Sequence, residues 1–334
     1  MLEGSFPILK YRRMDFMKLC TTTADLEPFA KTTVEAVRLF DGTGFKCLDF
    51  NFYRMSKPGS PLLQNDWQKF IEETAVAAES IGARFTQAHS PDGNPFAEGE
   101  EYDRFIQSTI RSIEACGMLG IENIVVHSVF SNFRTPRLGR KGYLEANKRF
   151  YEFFFPTMEK TGVNVLIENT CEQNAVMPYD EKPGMSEGLF YYAEDMLELI
   201  DHIGHPLLHA CWDTGHAAMR KMDQYDAMVK LGSHLRAVHI QDNFGEHDEH
   251  IAPFMGVMNM DEIMNGLIDS GFKGYFTFEA SNLLRCMNAW PVYRKEWPRD
   301  TRLMNPPKEL MQKAVAFLYE IGKSILSAYD VYEY

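Results

Sequence analysis

Positive charge is in short supply in this sequence. Against 47 aspartates and glutamates stand 34 lysines and arginines, for a net charge of −13 over 334 residues. Proteins that grip nucleic acid neutralise phosphates with Lys and Arg, so no nucleic-acid partner is expected. Long apolar runs are missing too. No stretch approaches the roughly 18 consecutive apolar residues of a membrane span, and Met1–Met17 lacks the apolar core and small-residue cleavage site of a secretory leader. No membrane association is expected. The cysteines (Cys20, Cys47, Cys116, Cys171, Cys211, Cys286) form no CxxC pair, and the chain has no N-x-S/T sequon. Reduced thiols in a cytoplasmic protein are the expectation. The 19 methionines read as adaptable core filler.

What is present is alternation. Short apolar, β-rich runs recur at Met14–Thr21, Phe45–Phe52, Arg84–His89, Asn123–His127, Val163–Asn169, Leu207–Asp213, Leu235–Gln241 and Tyr275–Glu279. Amphipathic stretches such as Asp66–Ile81, Tyr102–Leu119 and Leu144–Lys160 lie between them, several ending in a helix-stop glycine (SIGARF, LGIENI, TGVNV, SGFKGYF). Eight strands, each followed by a helix and with no linker between them, predict a single (β/α)8 TIM barrel over residues 1–334. An open doubly wound sheet would carry a glycine-rich phosphate turn after its first strand, and TTADLEP after Thr21 has none. Two βα segments are unusually long: Cys171–Gly188 after strand five, and Leu283–Pro307, with Trp290, Tyr293 and Trp297, after strand eight. On a barrel such loops lie over the active-site face or against a partner subunit.

Polar residues fall where the strands end. Six successive apolar runs finish on a ligand-capable side chain: His89 in QAHS, His127 in VVHS, Glu168 in LIEN, Asp213 in ACWDTGH, His239 in AVHIQDN and Glu279 in FTFEAS. In register, all six point to one rim of the barrel, the rim where barrel enzymes do their chemistry. Carboxylates and imidazoles buried together need a cation to neutralise them. Glu168, Asp213, His239 and Glu279 make a mixed oxygen and nitrogen set that suits one divalent ion, whether Mn2+, Co2+, Mg2+ or Zn2+. Ligand type alone does not select among them, and Mn2+ is the ion expected. His216 follows Asp213 by three residues, and Gly215 between them is expected to turn the chain so that both face the mouth. Beyond His239, GEHDEHIAP offers His247, Asp248 and His250, with His247 and His250 on one face should the segment be helical. Arg134, Arg137, Arg140 and Lys141 form a basic cluster past strand four that would suit a phosphate or lie solvated.

The motifs IEN, WDTGHA, VHIQDN with HDEH, and FEAS resemble the xylose-isomerase-like barrel superfamily, and the resemblance runs through essentially the whole chain. That group includes sugar phosphate isomerases and epimerases, ketose 3-epimerases, inosose dehydratases and endonuclease IV-type enzymes. The resemblance implies a small carbohydrate substrate and a homo-oligomer. It implies metal binding by Glu168, Asp213, His239 and Glu279, proton exchange by the two glutamates, and substrate contact by His216. It extends to His89, Asp248 and His250 as partners for sugar hydroxyls and to His127 as an acid or base. The chemistry expected is proton transfer through a metal-stabilised enediolate. Two rivals use the same residues. A lyase or dehydratase, including a C-glycoside deglycosidase subunit working with a small β-rich partner, would end in bond cleavage. An endonuclease would use three zinc ions and all nine of His89, His127, Glu168, Asp213, His216, His239, Asp248, His250 and Glu279, against which the acidic charge argues.

Overall fold

The computed structural model describes residues 16–129, 138–170, 192–284 and 305–333. Among these, eight strands appear where the apolar runs place them: β1 Leu19–Thr22, β2 Cys47–Asn51, β3 Arg84–His89, β4 Asn123–Val125, β5 Asn164–Glu168, β6 Leu208–Asp213, β7 Leu235–His239 and β8 Phe276–Phe278. All pair in parallel in the order β7-β6-β5-β4-β3-β2-β1-β8. The sheet closes on itself just past β7. There Ile240 N–H donates to the Thr277 carbonyl at 2.8 Å and the Glu279 N–H to the Ile240 carbonyl at 3.1 Å. The fold is the expected (β/α)8 barrel. Its strands are predominantly apolar because each is buried on both faces.

The helices wrap this barrel: α1 Thr33–Arg38, α2 Trp67–Ser80, α3 Glu100–Leu119, α4 Gly139–Glu152, α5 Phe155–Thr161, α6 Ala193–Ile203, α7 Thr214–Met219, α8 Gln224–Leu231, α9 Met260–Ser270 and α10 Lys308–Ala328. The stop glycines Gly82, Gly120, Gly162 and Gly271 all take positive φ, 66° to 74°, a left-handed turn that lets the chain leave a helix for the next strand. One expectation fails. The single helix over Leu144–Lys160 is two, because Pro156 lies in the first turn of α5. Proline lacks the N–H that would continue the ladder, and its ring clashes with the carbonyl four residues back. The loop Cys171–Gly188 and Trp290, Tyr293 and Trp297 of the loop after β8 lie outside the described residues, as do Arg134 and Arg137.

Apolar side chains divide into two cores. The larger packs strands against helices and includes Trp212, Phe50, Phe276 and Tyr151. A small separate one, Val125, Leu166, Cys211 and Ala237, comes from one residue each on β4 to β7 and fills the inside of the barrel. Each of the four stands two residues before a strand-end His, Glu or Asp. A strand repeats its facing every two residues, so this layer lies directly beneath the functional rim.

The chain past β4 is pinned by Asn147 on α4. Its carboxamide accepts from Val129 N–H at 2.6 Å and donates to the carbonyls of Val129 (2.7 Å) and Tyr143 (2.9 Å). Asn147→Ala leaves the N–H and carbonyl of Val129 without this partner and should lower stability by about 1–3 kcal/mol. Denaturant unfolding checks this, and an unchanged midpoint would show that the clamp is dispensable.

Candidate metal centre

Of the ten strand-end and loop residues singled out from the sequence, nine, all but His247, converge at the carboxyl ends of the strands. Glu168, Asp213, His239 and Glu279 each offer one ligand atom, and these four atoms lie within 4.8 Å of one another. Glu168 is central. Its Oε1 is 2.6 Å from His239 Nδ1 and its Oε2 is 2.8 Å from His127 Nε2. Glu279 Oε2 lies 3.2 Å from the same His239 nitrogen. His89 Nε2 meets His127 Nε2 at 3.1 Å and is 3.7 Å from Glu168. Glu168 is buried, whereas the side chains of His127 and Glu279 keep 30% and 23% of their exposure.

A second group sits beside the first. Asp248 Oδ2 lies 2.9 Å from His250 Nε2 and 3.5 Å from His216 Nε2. Gln241 bridges the two groups, donating to Asp213 Oδ1 at 3.2 Å and to Asp248 Oδ1 at 2.6 Å. The loop after β7 holds Asp248 and His250 inward but turns His247 out to solvent, without a helix, so His247 and His250 do not share a face. His250 has φ +48°. A non-glycine residue in the left-handed region costs on the order of 1–3 kcal/mol. It is held there by its Nδ1 at 2.7 Å from the Glu279 carbonyl and by Asn282 N–H donating to its own carbonyl at 3.0 Å.

The role expected of Gly215 is also corrected. It lies in the first turn of α7 and is not among the positive-φ glycines. A Cβ there would stand 2.1 Å from the Gln241 carboxamide, so its small size, rather than a tight turn, admits the bridging glutamine. Asp213 meanwhile caps α7, its Oδ1 accepting from His216 N–H at 2.6 Å. Its backbone is clamped by Asn169, which accepts from Asp213 N–H at 2.6 Å and donates to its carbonyl at 2.9 Å. Arg140 is not poised for a substrate phosphate either. It pairs with Asp195 at 2.6 Å and with Glu198, both on α6, while Lys141 is exposed.

The charges fit a cation. Asp213 Oδ2 is buried without a hydrogen-bond partner, and such an atom is costly unless something neutralises it. Burial, with Glu168, Glu279 and Asp248 nearby, pushes the Asp213 carboxyl up to about 7 against the pull of His216. Burial works the same way on Glu168, but the His239 imidazole and hydrogen bonds from His127, His239 and His89 hold it well below the usual carboxylate range. Glu279 is brought down to about 2 by His239 and His250, which outweigh its burial. For His250, burial is outweighed by Asp248, Glu279 and Asp213, and its pKa rises to about 10. A carboxylate-rich pocket with an unpaired oxygen and an imidazole nitrogen close by has the donor set for one divalent ion.

Sequence reasoning missed Asp49, Asn169, Gln241 and Tyr53. Asn169 and Gln241 stand inside the motifs IEN and VHIQDN, and Gln241 shares the facing of His239 by the two-residue repeat. Asp49 interrupts an otherwise apolar strand, which was a readable signal. Tyr53 stands edge-on to His89, ring centres 5.8 Å apart, and nothing local announces it.

Comparison with known proteins agrees with this architecture. Residues 33–321 match the model of the family described as xylose isomerase-like TIM barrel. The solved D-psicose 3-epimerase of Clostridium cellulolyticum H10 superposes with a TM-score of 0.65 at 16% identity, covering 93% of this chain and 99% of that one. The 3-keto-D-glucoside 4-epimerase of E. coli gives 0.62 at 17% identity, covering 92% and 100%. Fructoselysine 3-epimerase of Escherichia coli O157:H7 is 30% identical over 117 residues, 35% of this chain and 42% of its own length. An uncharacterised protein of Methanocaldococcus jannaschii is 25% identical over 205 residues, 58% of this chain and 64% of that one. These sequence matches therefore span less than two thirds of the curated relatives.

Metal ligands must be deprotonated, and Asp213 holds a proton below about pH 7. Affinity of the metal-stripped chain for Mn2+ should therefore fall as pH drops from 8 to 6, by up to about tenfold per unit below 7. Calorimetric titration at each pH measures it, and an affinity flat across that range would count against Asp213 as a ligand.

Proposed function

The chain belongs to the xylose isomerase-like TIM-barrel family, and from that premise we propose that it is a divalent-metal-dependent sugar isomerase or epimerase. One observation carries the reading: Glu168 and Glu279 approach the same nitrogen of His239, at 2.6 and 3.2 Å, and so both stand at one candidate ligand position. When bound, a divalent ion, Mn2+ in this reading, supplies Lewis acidity toward a carbonyl and its neighbouring hydroxyl. The residues do the rest. One glutamate takes the proton from the carbon beside the carbonyl, and the other returns a proton from the opposite face or at the adjacent carbon.

Glu279, whose side chain is part-exposed, is suited to meet the carbon acid directly. His127, also part-open and bonded to Glu168, relays or holds a proton on that side. His89, His216, Asp248 and His250 form the remaining wall and take sugar hydroxyls. The epimerases named above, which act on psicose, a keto-glucoside and fructoselysine, support small carbohydrate chemistry. A lyase outcome would need the same proton abstraction followed by loss of a leaving group, and no relative named above is a lyase.

A second reading, phosphodiester hydrolysis at three metal ions, has one observation in its favour. His89, His127 and Glu168 form one cluster, the quartet a second, and His216, Asp248 and His250 a third. The net charge of −13 opposes it. Metal analysis of the purified chain should give one equivalent per chain, and three equivalents would favour the nuclease.

Incubation with ketoses, ketose phosphates and inososes in D2O with Mn2+ should place deuterium at a single carbon and leave the skeleton intact. Glu168→Gln and Glu279→Gln should each lower the rate by about 100-fold to 10,000-fold. Full activity in both would overturn the two-base reading, and loss of water or of an aglycone would move the assignment to a lyase.

A further inference from the structure

A metal-binding imidazole works through one nitrogen, and its other nitrogen is usually held protonated by a carboxylate or carbonyl that fixes tautomer and ring orientation. In His239 the nitrogen facing the carboxylates is Nδ1. Nε2 points away from the rim, into the barrel, where it is buried without a hydrogen-bond partner. Asp49 Oδ2, on β2 across the interior, lies 3.6 Å from it. Asp49 is 2% exposed, and its Oδ1 has no partner either.

Asp49 is itself held in place. Its Oδ2 accepts from Gln87 Nε2 at 3.1 Å, and Gln87 Oε1 accepts from Thr277 Oγ1 at 3.1 Å. The second bond orients the Gln87 carboxamide so that its NH2 faces Asp49. Gln87 and Thr277 stand two residues before His89 and Glu279, which puts them in the layer beneath the rim. The other half of that layer is the apolar group Val125, Leu166, Cys211 and Ala237. A carboxylate in such a place, with no lysine or arginine paired to it among the described residues, is disfavoured by desolvation unless it has a proton to accept.

We propose that Asp49 is a positioning residue for His239, accepting the Nε2 proton so that the Nδ1 lone pair faces the cation. The proposal rests on reading Glu168, Asp213, His239 and Glu279 as a metal centre. The present 3.6 Å separation exceeds a hydrogen bond, and a relative shift of roughly 0.6 Å brings the pair to ordinary N–H···O distance. Thr277, Gln87 and Asp49 then form a polar chain from β8 through β3 and β2 to the ligand on β7.

The test is Mn2+ titration of the full-length, metal-stripped chain by calorimetry, alongside the melting temperature of the stripped protein. Asp49→Ala should bind Mn2+ about 10-fold to 100-fold more weakly. Asp49→Asn keeps an acceptor for both Nε2 and Gln87 and should lose less. In the Co2+-loaded wild type, proton NMR should show an exchangeable imidazole N–H signal far downfield, which Asp49→Ala loses to exchange with water. If the alanine variant does not fold, Asp49→Leu, which fills the volume with apolar surface, carries the same expectation. Wild-type affinity and an intact N–H signal in a folded alanine or leucine variant would overturn the proposal and leave the metal centre standing. A wild-type chain that binds no Mn2+ would overturn both.

Discussion

Glu168, Asp213 and His239 are buried together with Glu279 part-open beside them, and that concentration of charge constrains everything around it. Three carboxylates repel one another, and each loses hydration. His239 between two of them offsets part of this, which is why Glu168 and Glu279 are held low while Asp213, left with an unpaired oxygen, is pushed up to about 7. In the proposed metal centre, one positive ion would satisfy the unpaired oxygen and relieve the repulsion in a single step.

The barrel makes that concentration affordable by fixing each group from behind. Asn169 clamps the backbone of Asp213, α7 takes one of its oxygens as a cap, and Gln241 ties Asp213 to Asp248. Gly215 leaves the space in which that glutamine lies. These contacts link β5, β6 and β7 at their carboxyl ends, so the proposed ligands are carried by rigid strands instead of flexible loops, as tight positioning requires. The loop after β7 is the exception. Its strained His250 is held by contacts to Glu279 and Asn282, which couple the second cluster of groups to the quartet.

One layer deeper, the interior is divided. Beneath β4 to β7 it is apolar and supports the rim by close packing. Beneath β8, β3 and β2 it is polar, with Thr277, Gln87 and Asp49 joined by hydrogen bonds and aimed at His239. Packing sets the position of a side chain, whereas a directed hydrogen bond also sets which nitrogen carries the proton. Under the proposal for Asp49, that distinction is what a carboxylate there supplies and a leucine would not.

Alternation of apolar runs with amphipathic stretches determined the barrel from sequence alone, because a parallel strand buried on both faces cannot be written in polar residues. The strand-end positions of His89, His127, Glu168, Asp213, His239 and Glu279 were legible for the same reason: in a barrel the ends of successive strands share one rim. Pro156 breaking a helix was legible in principle, since its missing N–H is a local property. Other features were decided by tertiary structure. That Arg140 pairs with α6, that Gly215 makes room for Gln241, that His247 turns outward while His250 turns in, and that Asp49 faces His239 all depend on which strand or helix lies opposite. Periodicity reports the facing of a residue along its own strand, and distances across the barrel are set by closure of the whole sheet.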